Sequence, residues 1–275
     1  MRTQAERGRA FRALHKRDTA FIIPNPWDVG TARLLAHLGF EALATTSAGY
    51  AFSVGQRDNT IGRDEMMAHV RAIVSATDLP VSADLENGFG DDPETVAATI
   101  RLAAATGLVG GSIEDGTARA DDPIYEHALA VERVRAAAQV ARALPFPFTL
   151  TARAENYLVG RPDLKDTIKR LQAYQEGGAD VLYAPGLSTK DDIAAVVSSV
   201  DRPVNVVMGL QGVQLSLAAL SQIGVKRVSV GSALSRAALG AFLRAAREMR
   251  NHGTFAFADE AVSYRDISAM FGERS

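Results

Sequence analysis

The sequence predicts an α/β protein whose strands and helices alternate and close into a (β/α)8 barrel. Three observations support this fold class. Eight short apolar runs have the length of buried parallel strands. Longer amphipathic segments separate these runs, as helices do in such proteins. The length of 275 residues suits a single barrel, which typically has about 250 residues. An open doubly wound sheet is the alternative arrangement of the same units.

The predicted strands and helices alternate along the chain. The apolar runs lie at residues 21–23, 42–46, 80–84, 110–114, 148–153, 181–184, 204–207 and 228–231. The amphipathic segments lie at residues 31–38, 64–75, 93–105, 128–143, 164–175, 189–198, 215–223 and 233–250. Several helices are expected to end at a glycine in the left-handed conformation, namely at Gly39, Gly107, Gly177-Gly178 and Gly224.

The chain is expected to form one domain over residues 1–275, because it contains no linker, internal repeat or low-complexity segment. Residues 251–275 exceed what a barrel needs. Their aromatic side chains predict a short helical extension that packs on the barrel or on a neighbouring subunit.

Composition excludes several classes of function. A net charge of -2 gives no sign of nucleic-acid or membrane partners, and the basic N-terminus is interpreted as a solvated helix face. The absence of cysteine excludes disulfides, thiolate metal sites and cysteine nucleophiles. No run of about 20 apolar residues and no secretory signal is present. A cytoplasmic location is therefore expected.

Acidic residues are concentrated after the third, fourth and fifth runs, at strand ends where such barrels place reactive groups. Asp84 and Glu86 are two residues apart, a spacing that puts both on one face of a regular strand, and Glu114 ends the next run. Clustered carboxylates repel one another unless a cation joins them. Asp84, Glu86 and Glu114 are therefore candidate ligands of Mg²⁺ or Mn²⁺. The alternative is that they are solvated turn residues or helix N-caps.

Other polar groups at the strand ends suit a substrate carboxylate. Arg153 offers a planar guanidinium that binds two oxygens at once, the alternative being a salt bridge to the neighbouring acids. Thr46, Ser47 and Ala48 form a small-residue strand end whose amides and hydroxyls could hold a carboxylate. Turns use the same residue types, so this pattern has a structural alternative.

A phosphate-using aldolase or isomerase is a rival within the same fold. Gly231-Ser232 resembles the phosphate cradles of other barrels, but it equally fits a tight turn into the last helix. The lysines lie on predicted helices or loops rather than at strand ends, which disfavours this rival. The five histidines have no metal-ligand spacing and are interpreted as structural.

The segment Asp84-Leu85-Glu86-Asn87-Gly88-Phe89-Gly90 resembles a motif of the isocitrate lyase / phosphoenolpyruvate mutase superfamily. Supporting segments at residues 25–28, 46–49, 55–58, 113–115, 152–155 and 174–180 follow in collinear order. The resemblance implies a barrel whose eighth helix is exchanged between subunits of a homo-oligomer built as a dimer of dimers. It also implies Mg²⁺ at the strand ends, with Asp84 as a direct ligand and with Glu86 and Glu114 acting mostly through water.

The same resemblance implies that the Thr46-Ser47-Ala48 segment and Arg153 hold the carboxylate of a 2-oxo acid. It makes Asp58 an active-site acid near the metal, with Arg153 and Glu114 beside it in the catalytic group. One departure stands out. In the lyases the loop after the fourth-strand acids carries the cysteine that acts as general acid/base. Residues 116–123 contain no cysteine, lysine or histidine. Glu155, Tyr183, Arg119 and Tyr50 are the remaining proton-carrier candidates.

The sequence therefore predicts a Mg-dependent lyase that breaks a C–C bond of a small 2-oxo or 2-hydroxy di- or tricarboxylic acid through a metal-stabilised enolate. The reaction is expected to be like that of oxaloacetate decarboxylase or of isocitrate and 2-methylisocitrate lyases. Decarboxylation depends least on the absent cysteine, lysine and histidine of this loop, because the departing CO2 needs no proton. The alternatives are a phosphonopyruvate-type P–C bond enzyme and a non-catalytic protein that binds 2-oxo acids.

Overall fold

The computed structural model describes residues 2–210 and 214–272, and eight parallel strands form its centre. The strands are β1 (Phe21–Ile23), β2 (Leu43–Ala44), β3 (Val81–Asp84), β4 (Gly110–Glu114), β5 (Thr149–Arg153), β6 (Val181–Tyr183), β7 (Val204–Val207) and β8 (Arg227–Ser229). They pair in the order β1-β8-β7-β6-β5-β4-β3-β2. The Ala44 amide donates to the Pro24 carbonyl oxygen at 3.1 Å across the remaining seam. The predicted (β/α)8 barrel is therefore confirmed, as a nearly closed barrel.

Helices alternate with these strands. They are α1 (Gln4–Leu14), α2 (Val29–His37), α3 (Ser47–Ser53), α4 (Arg63–Ala76), α5 (Pro93–Ala105), α6 (His127–Ala143), α7 (Leu164–Gly177), α8 (Lys190–Ser198), α9 (Leu217–Gln222), α10 (Ala233–His252) and α11 (Tyr264–Met270), with a 3-10 helix at Ala256–Glu260. The predicted boundaries of the strands and helices agree with these to within two residues. The short helix α3 was not predicted from the sequence.

The helix-terminating glycines behave as predicted. The backbone φ angle is +84° at Gly39, +98° at Gly107, +109° at Gly178 and +91° at Gly224. In the predicted pair, Gly177 is the last residue of α7, and Gly178 adopts the left-handed conformation that ends the helix.

Helix α1 closes the amino-terminal face of the barrel. Phe11 and Leu14 pack with Phe21 and Ile23 in a buried cluster, while Glu6, Arg9 and Arg12 of the same helix are exposed. Arg12 also donates from Nη2 to the Phe148 carbonyl oxygen at 3.2 Å. The barrel is thus sealed at this end, and ligands have access from the carboxyl ends of the strands.

Helix α10 differs from the other helices of the barrel. The main apolar core joins β2–β8 to α2–α9, but it includes no residue of α10. Ser235 is the one buried residue of this 20-residue helix, whereas Phe242 is 67% exposed. In the part of the chain that is described, no helix has the length and apolar character that crossing a bilayer requires.

The chain after α10 returns to the barrel. Helix α11 contacts α2, and Arg33 Nη2 donates to the Phe271 carbonyl oxygen at 2.9 Å. The Arg33 guanidinium lies 5.6 Å from the centroid of the Phe271 ring. Residues 273–275 of the expected extension lie outside the described residues.

Candidate active site

A cavity of about 370 Å³ opens at the carboxyl ends of the strands. This volume is in the range of sites for small molecules, and this end of the barrel is where reactive groups are found. Most of the predicted site residues line the cavity, namely Thr46, Ser47, Ala48, Asp58, Asp84, Glu114 and Arg153. Glu86 lines a neighbouring groove instead.

Arg153 lies at the centre of the acidic residues. Its Nη1 atom is 2.9 Å from Asp84 Oδ1 and 3.0 Å from Glu114 Oε2, and its Nε donates to Glu155 Oε1 at 2.9 Å. Burial disfavours the charged guanidinium, but the carboxylates of Glu114, Glu155 and Asp84 outweigh it and raise the pKa of Arg153 well above its usual range. Arg153 thus forms the salt bridges that were the alternative to substrate binding.

The segment expected to hold a substrate carboxylate instead contacts carboxylates of the protein. Thr46 caps α3 by accepting a hydrogen bond from the Gly49 amide at 3.2 Å, so Ser47 begins a helix. The Ser47 amide donates to Asp84 Oδ2 at 3.3 Å, and Ser47 Oγ lies 2.9 Å from the same oxygen and 3.1 Å from Asp58 Oδ1. Burial, and then the negative charge of Asp84, raises the pKa of Asp58.

The two-residue spacing predicted that Glu86 and Asp84 lie on one face of a strand. In the structure they do not share a strand face. Strand β3 ends at Asp84, and Glu86 has a left-handed backbone with φ of +48°. The regular two-residue alternation therefore ends before Glu86. Its side chain is buried, and its Oε1 atom has no hydrogen-bond partner. Burial, followed by the charges of Asp84 and Asp58, raises the pKa of Glu86 to about 8.

The acidic groups outnumber the cationic groups around this cavity. Burial also raises the pKa of Glu114 and of Glu155, although both face Arg153. The five neighbouring acids are Asp58, Asp84, Glu86, Glu114 and Glu155. An excess of oxygen donors with an unpartnered Glu86 oxygen fits a hard divalent cation. Across residues 2–210 and 214–272, however, no three acidic or histidine side chains are already arranged as ligands of one ion.

Asp115 forms hydrogen bonds that hold the backbone next to the site in place. Its Oδ1 atom accepts a hydrogen bond from the Glu155 amide at 2.7 Å, and its Oδ2 atom is 3.1 Å from Arg170 Nη1. The Tyr174 hydroxyl donates to the same oxygen at 2.5 Å. These bonds tie the end of β4 to α7 and to the start of the loop after β5, and they fix the backbone of Glu155.

The loop after β4 is folded onto itself. An antiparallel bridge joins Gly116 to Ile124, and the Thr117 amide donates to the Pro123 carbonyl oxygen at 3.1 Å. Gly116 and Ala118 line the cavity, and neither side chain can carry a proton. The general acid/base that the family resemblance leads us to expect on this loop therefore has no counterpart at the two loop positions that line the cavity.

The four proton-carrier candidates separate into two groups. Glu155 and Tyr183 line the cavity. Arg119 points away from it, with Nη1 at 2.9 Å from both carboxylate oxygens of Asp91. Tyr50 donates to Glu65 at 3.2 Å and stacks on a histidine ring outside the cavity.

The region of Gly231-Ser232 is a turn rather than a ready phosphate cradle. Asn25 Oδ1 accepts hydrogen bonds from the amides of Val230 at 2.9 Å and of Gly231 at 3.0 Å. Asn25 Nδ2 in turn donates to the Thr45 carbonyl oxygen at 3.0 Å. The amide of Gly231 is therefore engaged within the protein.

Several polar residues of the cavity wall were missed by sequence reasoning. They are Ser82, Ser112, Asn205, Arg227 and Ser229, all on strands. Polar residues at two-residue spacing within apolar runs, as in Ser82 with Asp84 and Ser112 with Glu114, were a usable signal of a polar barrel interior. Arg227 lay one residue before the predicted start of its strand, and its inward direction was therefore not recognised.

The chain is similar to a known protein family and to several solved structures. The model of the phosphoenolpyruvate phosphomutase family matches residues 11–250. A protein from Burkholderia cenocepacia J2315, provisionally described as a lyase/mutase, has a crystal structure that is 68% identical, with a TM-score of 0.96 over 98% of this chain and 97% of that chain. A phosphonopyruvate hydrolase crystallised with oxalate and Mg²⁺ has the same fold, at 24% identity and a TM-score of 0.85 over 98% and 95% of the two chains.

Curated relatives carry related names. An uncharacterised protein of Mycobacterium tuberculosis (strain ATCC 25618 / H37Rv) is 32% identical over 86% of this chain and 88% of its own. The 2-methylisocitrate lyase of Escherichia coli (strain K12) is 30% identical over 66% of this chain and 62% of its own. An oxaloacetate decarboxylase of Pseudomonas savastanoi pv. phaseolicola (strain 1448A / Race 6) is 28% identical over 88% and 84%.

Proposed function

This chain belongs to the phosphoenolpyruvate mutase / isocitrate lyase superfamily, and on that premise we propose that it is a Mg²⁺-dependent lyase. Its substrate would be a small 2-oxo or 2-hydroxy di- or tricarboxylic acid, of which it would break one C–C bond. The oxaloacetate decarboxylase and the 2-methylisocitrate lyase among its relatives exemplify the two reactions considered.

The observation that carries the proposal is the acidic cluster around Arg153 at the mouth of the barrel. Asp84 and Glu114 both lie within 3.0 Å of Arg153 Nη1, in a cavity of about 370 Å³. Buried carboxylates of this density are costly to the fold unless a cation offsets them. They are therefore more readily explained by a function than by stability.

Asp84, Glu86 and Glu114 would hold the divalent cation. When bound, it would supply positive charge that stabilises negative charge developing on a substrate oxygen. Arg153 would bind the substrate carboxylate, for which its guanidinium geometry is suited.

Proton transfer would fall to groups of the cavity wall. Glu155 lines the cavity beside Arg153, and burial raises its pKa, so this carboxyl group is the first candidate to give a proton to the substrate carbon after bond cleavage. Tyr183 is the second candidate, because it lines the same cavity and faces Arg153. Asp58 would act as an acid near the cation. The loop after β4 places no proton-carrying side chain in the cavity. This favours decarboxylation over cleavage of isocitrate or 2-methylisocitrate, because the departing CO2 needs no proton.

A coupled assay tests the proposal. The purified protein with Mg²⁺ is given oxaloacetate, isocitrate, 2-methylisocitrate or phosphonopyruvate, and pyruvate and glyoxylate are followed with and without a chelator. Chelator-sensitive pyruvate from oxaloacetate supports a decarboxylase, and glyoxylate from isocitrate supports a lyase. Pyruvate from phosphonopyruvate alone favours the P–C bond alternative. Absence of any product with measurable 2-oxo-acid binding contradicts the enzyme proposal.

Asp84→Asn provides the residue-level test. The substitution keeps the shape of the side chain but removes its charge, so Mg²⁺ binding by calorimetry and the chelator-sensitive rate should both fall by at least about tenfold. Glu94→Gln is the matched control, because Glu94 is exposed and pairs only with Arg101 among the described residues. Retention of Mg²⁺ affinity in Asp84→Asn would remove Asp84 from the ligand set.

We also propose that α10 is exchanged between two copies of the chain. Phe242 is 67% exposed, Leu243 47% and Met249 41%, although they belong to one amphipathic helix. On the barrel, Ile22 of β1 is 36% exposed on the outer face, where a covering helix is expected. In a dimer, α10 of each copy would cover the outer face of β1 in the other copy, so that both apolar surfaces would be buried. Pairing of two such dimers would give the expected dimer of dimers.

Light scattering tests this assembly. The unmodified chain should have the mass of a dimer or tetramer, and Phe242→Asp should reduce that mass. Asn251→Asp, at an exposed position of the same helix, adds the same single negative charge and is the control. A monomeric mass for the unmodified chain at micromolar concentration would refute the exchange.

A further inference from the structure

A row of polar residues runs from the mouth of the cavity into the barrel. Arg153 is paired in register with Tyr183, Tyr183 with Asn205, and Asn205 with Arg227. Partners in neighbouring parallel strands point to the same side of the sheet, and all four residues line the cavity. Arg153 and Tyr183 are the last residues of β5 and β6, whereas Arg227 is the first residue of β8. The stagger of the strands therefore takes the row down into the barrel.

Arg227 ends this row without a carboxylate partner. It is 5% exposed, and no acidic side chain among the described residues forms a salt bridge with it. Its Nε donates to Asn205 Oδ1 at 2.8 Å, and Asn205 Nδ2 donates onward to Ser229 Oγ at 3.0 Å. The Nη1 atom of Arg227 has no hydrogen-bond partner.

The other buried arginines contrast with Arg227. Arg153 faces three carboxylates, and Arg170 pairs with Asp115 and Asp166. Arg133 donates to backbone carbonyl oxygens, including that of Gly90 at 2.6 Å. A buried guanidinium that lacks an anion is costly to the fold. Burial lowers the pKa of Arg227 to about 10, so the group remains a cation at neutral pH.

We propose that Arg227, together with Asn205 and Tyr183, forms an anion subsite that binds a second carboxylate of the substrate. This inference rests on the proposed function and makes it more specific. One carboxylate would bind near Arg153 at the cavity mouth, and the other would bind at Arg227 below it. The substrate would therefore be at least a dicarboxylate.

Succinate and butyrate test the subsite, because they have the same chain length and differ by one carboxylate. Binding of each to the Mg²⁺-loaded protein is measured by calorimetry in chloride-free buffer, without turnover. Succinate should bind about tenfold or more tightly than butyrate, since a charge-assisted pair provides at least that factor. Arg227→Met should remove this preference, whereas Arg101→Met, which alters an exposed arginine, should keep it.

The binding experiment tests the subsite, whereas the coupled assay tests the proposed reaction. Equal affinities for the two acids in the unmodified protein, or an undiminished preference in folded Arg227→Met, would overturn the subsite. Arg227→Lys, which keeps a cation, should retain part of the preference and serves if Arg227→Met fails to fold. Failure of the coupled assay with all substrates would refute the proposed reaction, yet the succinate preference would still report on Arg227.

Discussion

His15 lies buried at the base of the barrel and should make stability depend on pH. It is 7% exposed and packs edge-on against Phe11 and Phe21, with ring centroids 4.8 and 5.0 Å away. Nδ1 lies 2.9 Å from the Phe11 carbonyl oxygen, which can only accept a hydrogen bond, and Nε2 has no partner. Burial, followed by repulsion from Arg227, lowers the pKa of His15 from 6.5 to about 3.

The size of the pH effect on the free energy of unfolding follows from the difference between the pKa of His15 in the folded and in the unfolded chain. The folded protein keeps His15 neutral at pH values where the unfolded chain binds a proton, so the stabilising contribution is complete above about pH 6.5. It is lost as the pH falls from there towards about 3. Each pH unit in this window corresponds to about 1.4 kcal/mol. At about pH 5, protonation of the unfolded chain at His15 alone lowers the free energy of unfolding by about 2 kcal/mol.

His15→Phe tests this reasoning. Phenylalanine preserves the edge-on ring contacts but cannot be protonated. The free energy of unfolding is measured with urea at about pH 7.5 and about pH 5, and the difference between the two should be smaller in the variant by about 2 kcal/mol. His37→Gln, which alters an exposed histidine, is the control. An identical pH dependence in His15→Phe and the unmodified protein would refute the reasoning.

Three further substitutions test the framework around the site. Asp115→Asn should lower the free energy of unfolding by about 2–3 kcal/mol in urea titrations, because it removes the charge facing buried Arg170 while Asp166 still pairs with that arginine. An unchanged unfolding midpoint would contradict this. Gly110→Ala should cost about 1–3 kcal/mol, because an added Cβ would lie 2.9 Å from Phe11 Cε1, and a neutral effect would show that this wall can move. Arg153→Met should weaken binding of a 2-oxo acid by at least about tenfold in calorimetry, and an unaltered affinity would remove Arg153 from the binding site.

The sequence by itself determined the order and the approximate bounds of the strands and helices. This succeeded because hydrophobic periodicity is a local property, and the boundaries differ from the prediction by no more than two residues. The meeting of Asp84, Glu114 and Arg153 was also predictable, since consecutive strands of a barrel end at the same face. Helix α3 was missed because a short run of small residues has too little periodicity.

Tertiary structure decided the direction and the partners of the side chains. Glu86 departs from the strand face because its backbone is left-handed, with φ of +48°. Arg153 is engaged with three carboxylates because β4 and β5 are paired in a register that aligns it with Glu114. Arg227 reaches the cavity from the start of β8 because the strands are staggered, and register between distant segments is not encoded in any local pattern. A guanidinium without an acidic partner could therefore be recognised only once the barrel had closed.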